Sequence, residues 1–523
     1  MTKWLSRNWL WIVILCTIAV YAPLVGNSQD ERAKRKGLDA LTEIMELIQK
    51  QTIDPPNPKQ VAFASIQGML HTLDPHSNFM DEQEFRNMRN DQKGAFFGIG
   101  SMIQSQPDGV VIISTTPGGP AEKAGLRAGD YFREIDGKST EGMSSNQVMR
   151  RLRGDKGTTV VLTMERPGVE QTFNVPITRA EIPSSSVNYS FMLTKDIGFI
   201  RIREFGETTS EEFARSINEL KNQGLRALIL DLRYNPGGIL ESAVGISNQL
   251  LGPNELVLTQ KGKEGRDPIV YRTDSEPRKN INTFPVVVLI NRGSASASEI
   301  VAGAIQDHDR GLLVGETSWG KGLVQHVMAI NRTRGLSLTV ARYYTPSGRC
   351  IQRDYQHGLD DYYIVDDDDE TENINSARQE FTTSLGRVVH GGGGIRPDYI
   401  VKPKLYNILA LRLLTINGAY FKFANAEKYA GRVIKQGQEV DDPTLQKFKT
   451  WLGAQKINIS DSEWETAKSD IKERLTIDMQ TVGHDVDTSF KYECLIDPQV
   501  QKAIELLPEA EKLYKRKLAL KSN

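Results

Sequence analysis

Two glycine-flanked turns carry side chains that together could hydrolyse an amide bond. Ser296 lies in the run Gly293–Glu299 (GSASASE), and Lys321 lies in Gly320-Lys321-Gly322, with Gln325 four residues later. A serine hydroxyl is a weak nucleophile until a base takes its proton. A partly desolvated lysine loses its charge more readily and can be that base. Trp319, Leu323 and Val324 surround Lys321 with apolar sequence, and Gln325 can accept a hydrogen bond from its amine. The Ala297 N–H, at the start of a helix, could stabilise a developing oxyanion. Gly237 or Gly238, in the run Asn235-Pro236-Gly237-Gly238, offers a second donor. Each feature also has a plainer reading. Ser296 can be a helix N-cap, Ser294 and Ser298 capping or packing serines, Lys321 a solvated loop residue, and Asn-Pro-Gly-Gly a β-turn.

The elements around these turns are those of an α/β core over residues 183–403. Buried strands are expected at 197–203, 227–232 (ALILDL) and 285–290 (PVVVLI), and a helix at 210–222. The strand at 227–232 ends in the Asn-Pro-Gly-Gly turn. The strand at 285–290 delivers the serine turn, and a helix continues to about Gln306. Strand, tight turn and helix together place reactive groups at strand ends. Histidine is the competing base, but His76, His308 and His390 lie in turn-like segments and His326 alternates with Gln325.

Residues 94–182 change to short strands and turns. The Gly98-Ile99-Gly100 loop, the segment Gly118–Asp130 (GGPAEKAGLRAGD) and a helix over 144–153 with Val148 and Leu152 on one face follow in that order. This stretch resembles a bacterial PDZ domain. Such a module adds a peptide as an extra strand, and N–H groups of the glycine loop hold its terminal carboxylate. Gly98, Ile99, Gly100, Val148 and Leu152 are then the candidate contacts to a substrate C-terminus.

Behind that segment, DLRYNPGG (231–238), GSASASEI (293–300), GETSWGKGLVQ (315–325), YYTPSGRCIQ (343–352) and GGGGIRPD (391–398) occur in order, and LDPHSNFM (73–80) precedes it. The ensemble closely resembles the C-terminal processing, or tail-specific, serine protease family over roughly residues 35–400. The resemblance implies Ser296 as nucleophile, Lys321 as general base and Gln325 as the residue that positions the lysine. It implies an oxyanion hole from Ala297 and a glycine of Gly237-Gly238, and no cofactor or metal. It also implies a PDZ domain that gates the site, with Arg153 as a candidate link. Cys350 stands where the family commonly has a small polar residue. The 120 or so residues after 403 lie outside the motifs. The alternative from a different class is a catalytically silent, PDZ-containing scaffold that binds peptides.

Composition narrows the partners. Lys plus Arg (65) nearly balances Asp plus Glu (66), so no global field favours nucleic acid. Cys16, Cys350 and Cys494 imply no disulfide framework, and the seven histidines show no zinc-ligand spacing. Lys3 and Arg7 precede the apolar run Trp9–Val25, so residues 1–29 read as a signal peptide or signal-anchor. That places the body outside the cytoplasm, in the periplasm for a bacterium. Residues 30–93 read as helices, with Leu38, Leu41, Ile44, Met45 and Ile48 at helical spacing. Residues 404–523 read as a charged helical domain for packing or partner contact. The run Asp366–Glu370 reads as a solvated loop. Expected partners are proteins or peptides with free C-termini, with room for an adaptor protein, a membrane anchor and a homo-oligomer.

Overall fold

A computed structural model describes residues 32–92, 95–275, 282–356, 362–363, 379–415 and 418–521. The apolar run Trp9–Val25, Cys16 and the acidic run 366–370 lie outside the described residues. Among the described residues no helix is long and apolar enough to cross a membrane.

The chain divides into two compact units. The smaller holds residues up to Asp81 together with Val327–Leu338. It contains helices over 32–51 and Pro58–His71 and a strand Asn78–Met80 that pairs antiparallel with residues 335–337. Of the stripe expected there, Leu38, Leu41 and Ile44 are exposed, and Met45 and Ile48 are half-buried.

The larger unit is built on a six-stranded sheet: β1 (Val187–Met192), β2 (Ile197–Ile202), β3 (Ala227–Asp231), β4 (Val286–Ile290), β5 (Leu312–Gly315) and β6 (Tyr399–Ile400), in that spatial order. β1 runs antiparallel to β2, and the other neighbours are parallel. β3 and β4 are buried at every residue, as expected of parallel strands covered on both faces. One face carries α1 (Thr209–Asn222), α2 (Leu240–Leu250) and α3 (Ala297–Asp307). Phe213, Ile217 and Leu220 of α1 recur at helical spacing and meet Ile200, Leu228 and Leu230 of the sheet in this core. The opposite face is covered by α4 (Pro498–Lys521), whose Val500, Ala503, Leu506, Leu507 and Ala510 pack with Phe199, Ile229, Val287, Leu289 and Val314. The last helix of the extension is therefore a layer of the protease core.

The PDZ region forms a second sheet around its own core of Ile99, Ile112, Phe132, Val148, Leu152 and Leu162. The helices between 408 and 483 form a third core, and it takes in Val111 and Tyr131 from the PDZ sheet. Lys422 and Asp108 add an ion pair at 2.5 Å across that contact.

Candidate active site

The serine turn begins where β4 ends. Asn291 holds it from below: its Oδ1 accepts from the N–H groups of Tyr234 (2.8 Å) and Gly293 (3.0 Å). Ser294 is fully buried and donates to the Leu232 carbonyl at 2.8 Å. Ser298 is also fully buried and donates to the Asn235 carbonyl at 2.9 Å. Two of the three serines thus tie the serine turn to the turn after β3. Their hydroxyls add a second donor to carbonyls that already accept from the Asn235 and Ala295 N–H groups, and so cross-link the two turns.

Ser296 sits differently. Its φ of 54° lies in the left-handed region, which a residue with a Cβ seldom adopts. Such strain persists only where surrounding bonds over-determine it. Here the Ser296 N–H donates to Glu299 Oε2 at 2.8 Å. Its carbonyl accepts from Glu299 N (2.9 Å), Ile300 N (3.0 Å) and the buried Tyr343 hydroxyl (3.2 Å). α3 starts at the next residue, so its first N–H groups point back toward the serine.

Glu299 joins the two turns. It is fully buried, and each of its oxygens accepts two hydrogen bonds. Oε1 takes Ser318 Oγ (2.5 Å) and Gly320 N (2.7 Å), and Oε2 takes Ser296 N (2.8 Å) and Lys321 N (2.9 Å). Burial pushes its carboxyl up from the ordinary value, and the four donors oppose that shift. Four donors on two oxygens suit a carboxylate. Ser296 and Lys321, 25 positions apart in the chain, thus hang from one oxygen atom. Beyond that, Lys321 Nζ donates to Gln325 Oε1 at 3.1 Å.

Glycines make the close approaches possible. A Cβ on Gly320, whose φ is 91°, would lie 2.8 Å from the Gly394 nitrogen. This is where the run GGGGIRPD meets the lysine turn, and Ile395 N donates to Ser318 Oγ at 2.6 Å. A Cβ on Gly237, whose φ is 99°, would lie 2.7 Å from Ser296 Cβ and 2.9 Å from Ala297 N. The Gly237-Gly238 turn therefore rests against the serine. Within it, the Gly237 N–H donates to Asn235 Oδ1 at 2.9 Å. That bond commits one of the two glycine donors and leaves Gly238 as the second candidate.

His308 is at the far end of α3 from Ser296, about 16 Å along an eleven-residue helix. Its ring contacts Glu255 and the Leu256 carbonyl instead. Cys350 and Cys494 are both free thiols, and burial pushes the Cys494 thiol up, which disfavours its thiolate.

In the PDZ region, Ser101–Gln106 is the edge strand of its sheet, and the Ser145–Leu152 helix lies alongside it. Ser145 N donates to Ser105 Oγ at 2.8 Å. The glycine loop is fixed by Ala121 N to the Ile99 carbonyl (2.8 Å) and Thr116 N to the Gly100 carbonyl (2.9 Å). Gly98 closes the preceding strand, and Gly100 has a φ of 72°. Ile99, Val148 and Leu152 are packed into the PDZ core. They form the floor between strand and helix rather than an exposed wall. Arg153 caps the helix, its N–H bonded to the Met149 carbonyl at 3.0 Å.

Three residues of the site escaped sequence reasoning: Glu299, Asn235 and Tyr343. The spacing Ser296-x-x-Glu299 is a capping-box pattern and was a readable signal for Glu299. The Asn-Pro-Gly-Gly run marked Asn235 as a turn residue but not its bonds to Ile202 and Gly237, and nothing local marks Tyr343.

The fold and this site define a serine-type peptidase with a PDZ domain. Residues 196–361 match the profile of peptidase family S41, and residues 111–166 match that of a PDZ domain. The carboxy-terminal-processing protease of Bartonella bacilliformis is 37% identical over 329 residues, 62% of this chain and 75% of that protein. The carboxy-terminal processing protease CtpA of Bacillus subtilis is 33% identical over 354 residues, 66% of this chain and 75% of that protein. The solved photosystem II D1 C-terminal processing protease is 28% identical, over 67% of this chain and 84% of that chain, with a TM-score of 0.35. The chain belongs to the carboxy-terminal processing proteases of family S41.

Proposed function

We propose that this protease cleaves extracytoplasmic proteins with a Ser296–Lys321 dyad and selects them by their free C-termini. The observation that carries the reading is the Glu299 oxygen shared by the N–H groups of Ser296 and Lys321. It ties the backbones of the proposed nucleophile and base to one buried atom, which supports their acting together. Lys321 Nζ takes the Ser296 Oγ proton as Oγ bonds to the scissile carbonyl carbon. The tetrahedral oxyanion is met by the N–H groups of Ala297 and Gly238. The C–N bond breaks and the proton passes from Lys321 to the leaving amine. A water molecule then loses a proton to Lys321, releases the acyl group and restores the serine. Gln325 Oε1 orients the amine through the 3.1 Å bond.

Substrate C-termini add to the edge strand Ser101–Gln106, with the carboxylate at the Gly98-Ile99-Gly100 loop. Ile99, Val148 and Leu152 lie beneath the last side chain. The apolar run Trp9–Val25 behind Lys3 and Arg7 anchors or exports the chain, which puts the catalytic unit in the periplasm of a bacterium. The test is a peptidase assay on the purified full chain and its Ser296→Ala variant, using a fluorogenic peptide with a free C-terminus. Turnover by the wild type and none by the variant is expected. Equal turnover by both would sink the dyad.

A further inference from the structure

We propose that Asp497 and Gln499, in the C-terminal extension, are positioning residues for the oxyanion turn, acting through Arg233; this rests on the catalytic reading above. Both residues lie outside the stretches that match the family profiles, 111–166 and 196–361. Arg233 belongs to the turn itself, two residues before Asn235. Its side chain is nearly buried and makes four hydrogen bonds. Nε and Nη2 donate to the two oxygens of Asp231 at 2.9 Å each. Nη1 donates to Asp497 Oδ2 at 2.6 Å and Gln499 Oε1 at 2.7 Å. Asp231 ends β3, so one half of the guanidinium is fixed to the sheet and the other half to the start of α4.

The far partners are themselves held. Asp497 Oδ1 accepts the Gln499 N–H at 2.7 Å at the start of α4, and Gln499 Nε2 donates to the Val401 carbonyl at 2.7 Å. α4 cannot drift, because Lys517 pairs with Glu255 at 3.0 Å and Tyr514 stacks on Arg310 at 4.1 Å. From Arg233 the constraint runs along the backbone. Tyr234 has a φ of 58°, a strained conformation for an aromatic residue, and its N–H is held by Asn291. Asn235 then donates to the Ile202 carbonyl and accepts from Gly237. Three residues separate Arg233 from Gly237, which rests on Ser296. Without an acceptor at Asp497, Arg233 Nη1 would keep only the Gln499 oxygen, and the turn would lose the charged part of its outer anchor. The helical extension thus completes the catalytic wall.

The test uses the full chain and Asp497→Asn. The amide keeps Oδ1 as the helix cap and places a donor, in place of an acceptor, against Arg233. Loss of a whole oxyanion donor lowers kcat by about 10²–10³-fold, so a loosened turn should lower it by about tenfold. KM for the fluorogenic peptide should stay within about twofold. A peptide boronic acid, whose tetrahedral adduct fills the oxyanion site, should bind about tenfold more weakly. The uncleaved peptide should bind to Ser296→Ala/Asp497→Asn as it binds to Ser296→Ala. A cooperatively melting Asp497→Asn with unchanged kcat would overturn the proposal. So would a kcat loss that follows the folded fraction while boronate affinity per folded molecule is unchanged. If Asp497→Asn does not fold, Gln499→Leu, which removes one acceptor and spares the cap, decides by the same kcat and boronate readings. Activity in Ser296→Ala would instead break the catalytic reading and is recognised separately.

Discussion

The chain carries two sites of opposite construction. The serine and lysine turns are closed in on themselves: Ser294, Ser298, Asn291 and Glu299 spend their hydrogen bonds on backbone groups of facing loops. The PDZ edge is left open, a strand bonded on one side only beside a helix. The contrast follows from what each must do. A nucleophile and base must meet within tenths of an ångström, and over-determined turns suit the proposed dyad. A peptide-binding edge takes its last strand from the substrate, so its own hydrogen bonds must be unfinished. Changes in the closed site should therefore appear in kcat, and changes at the open edge in KM.

The largest effect belongs to the closed site. Ser296→Ala and Lys321→Ala should each lower kcat by about 10⁴-fold or more with peptide binding retained. Steady-state kinetics and equilibrium peptide binding check this. A Lys321→Ala enzyme with full kcat would remove the base from the mechanism. Next comes Glu299→Gln. One carboxylate oxygen becomes a donor facing two donors, at a cost of about 2–5 kcal/mol. Activity should be lost together with a lower melting temperature. An active and equally stable variant would mean that the shared oxygen does not hold the two turns together.

The open edge should respond more gently. Amidating the substrate C-terminus removes one charged acceptor, worth about 1.5–3 kcal/mol, and should raise KM by about 10–100-fold. If kcat fell instead, the edge would be coupled to the chemistry and the separation of the two sites would break. Smallest is Lys422→Ala, which cuts the ion pair to Asp108 at the contact between the PDZ sheet and the 408–483 helices. Both groups are partly exposed, so stability should change by less than about 1 kcal/mol, with kcat and KM unaltered. A larger change on chemical denaturation would show that this contact leans on charge rather than on Val111 and Tyr131.

Much of the proposed catalytic unit was legible in the chain because its signals are local. VVVLI and ALILD read as buried strands, and glycines at 237, 320 and 322 mark backbone that must come close to something. Motif order then singled out Ser296, Lys321 and Gln325 among many candidates. Glu299 was less visible, because a capping-box glutamate usually serves only its own helix. Here it also reaches Ser318, Gly320 and Lys321.

The two ends of the chain show where reading stops. Leu38, Leu41, Ile44, Met45 and Ile48 recur at helical spacing as Val500, Ala503, Leu507 and Ala510 do, yet the first set is exposed or half-buried and the second lies against the sheet. Periodicity reports that a helix has an apolar face and is silent on what covers it. The sequence by itself determined the strands, the sharp turns and the types of side chain they present, because these depend on near neighbours in the chain. The tertiary structure alone decided that one carboxylate serves two turns and that Asp497 reaches Arg233. Glu299 and Lys321 are 22 positions apart and Arg233 and Asp497 are 264 apart, and only packing brings such partners within 3 Å.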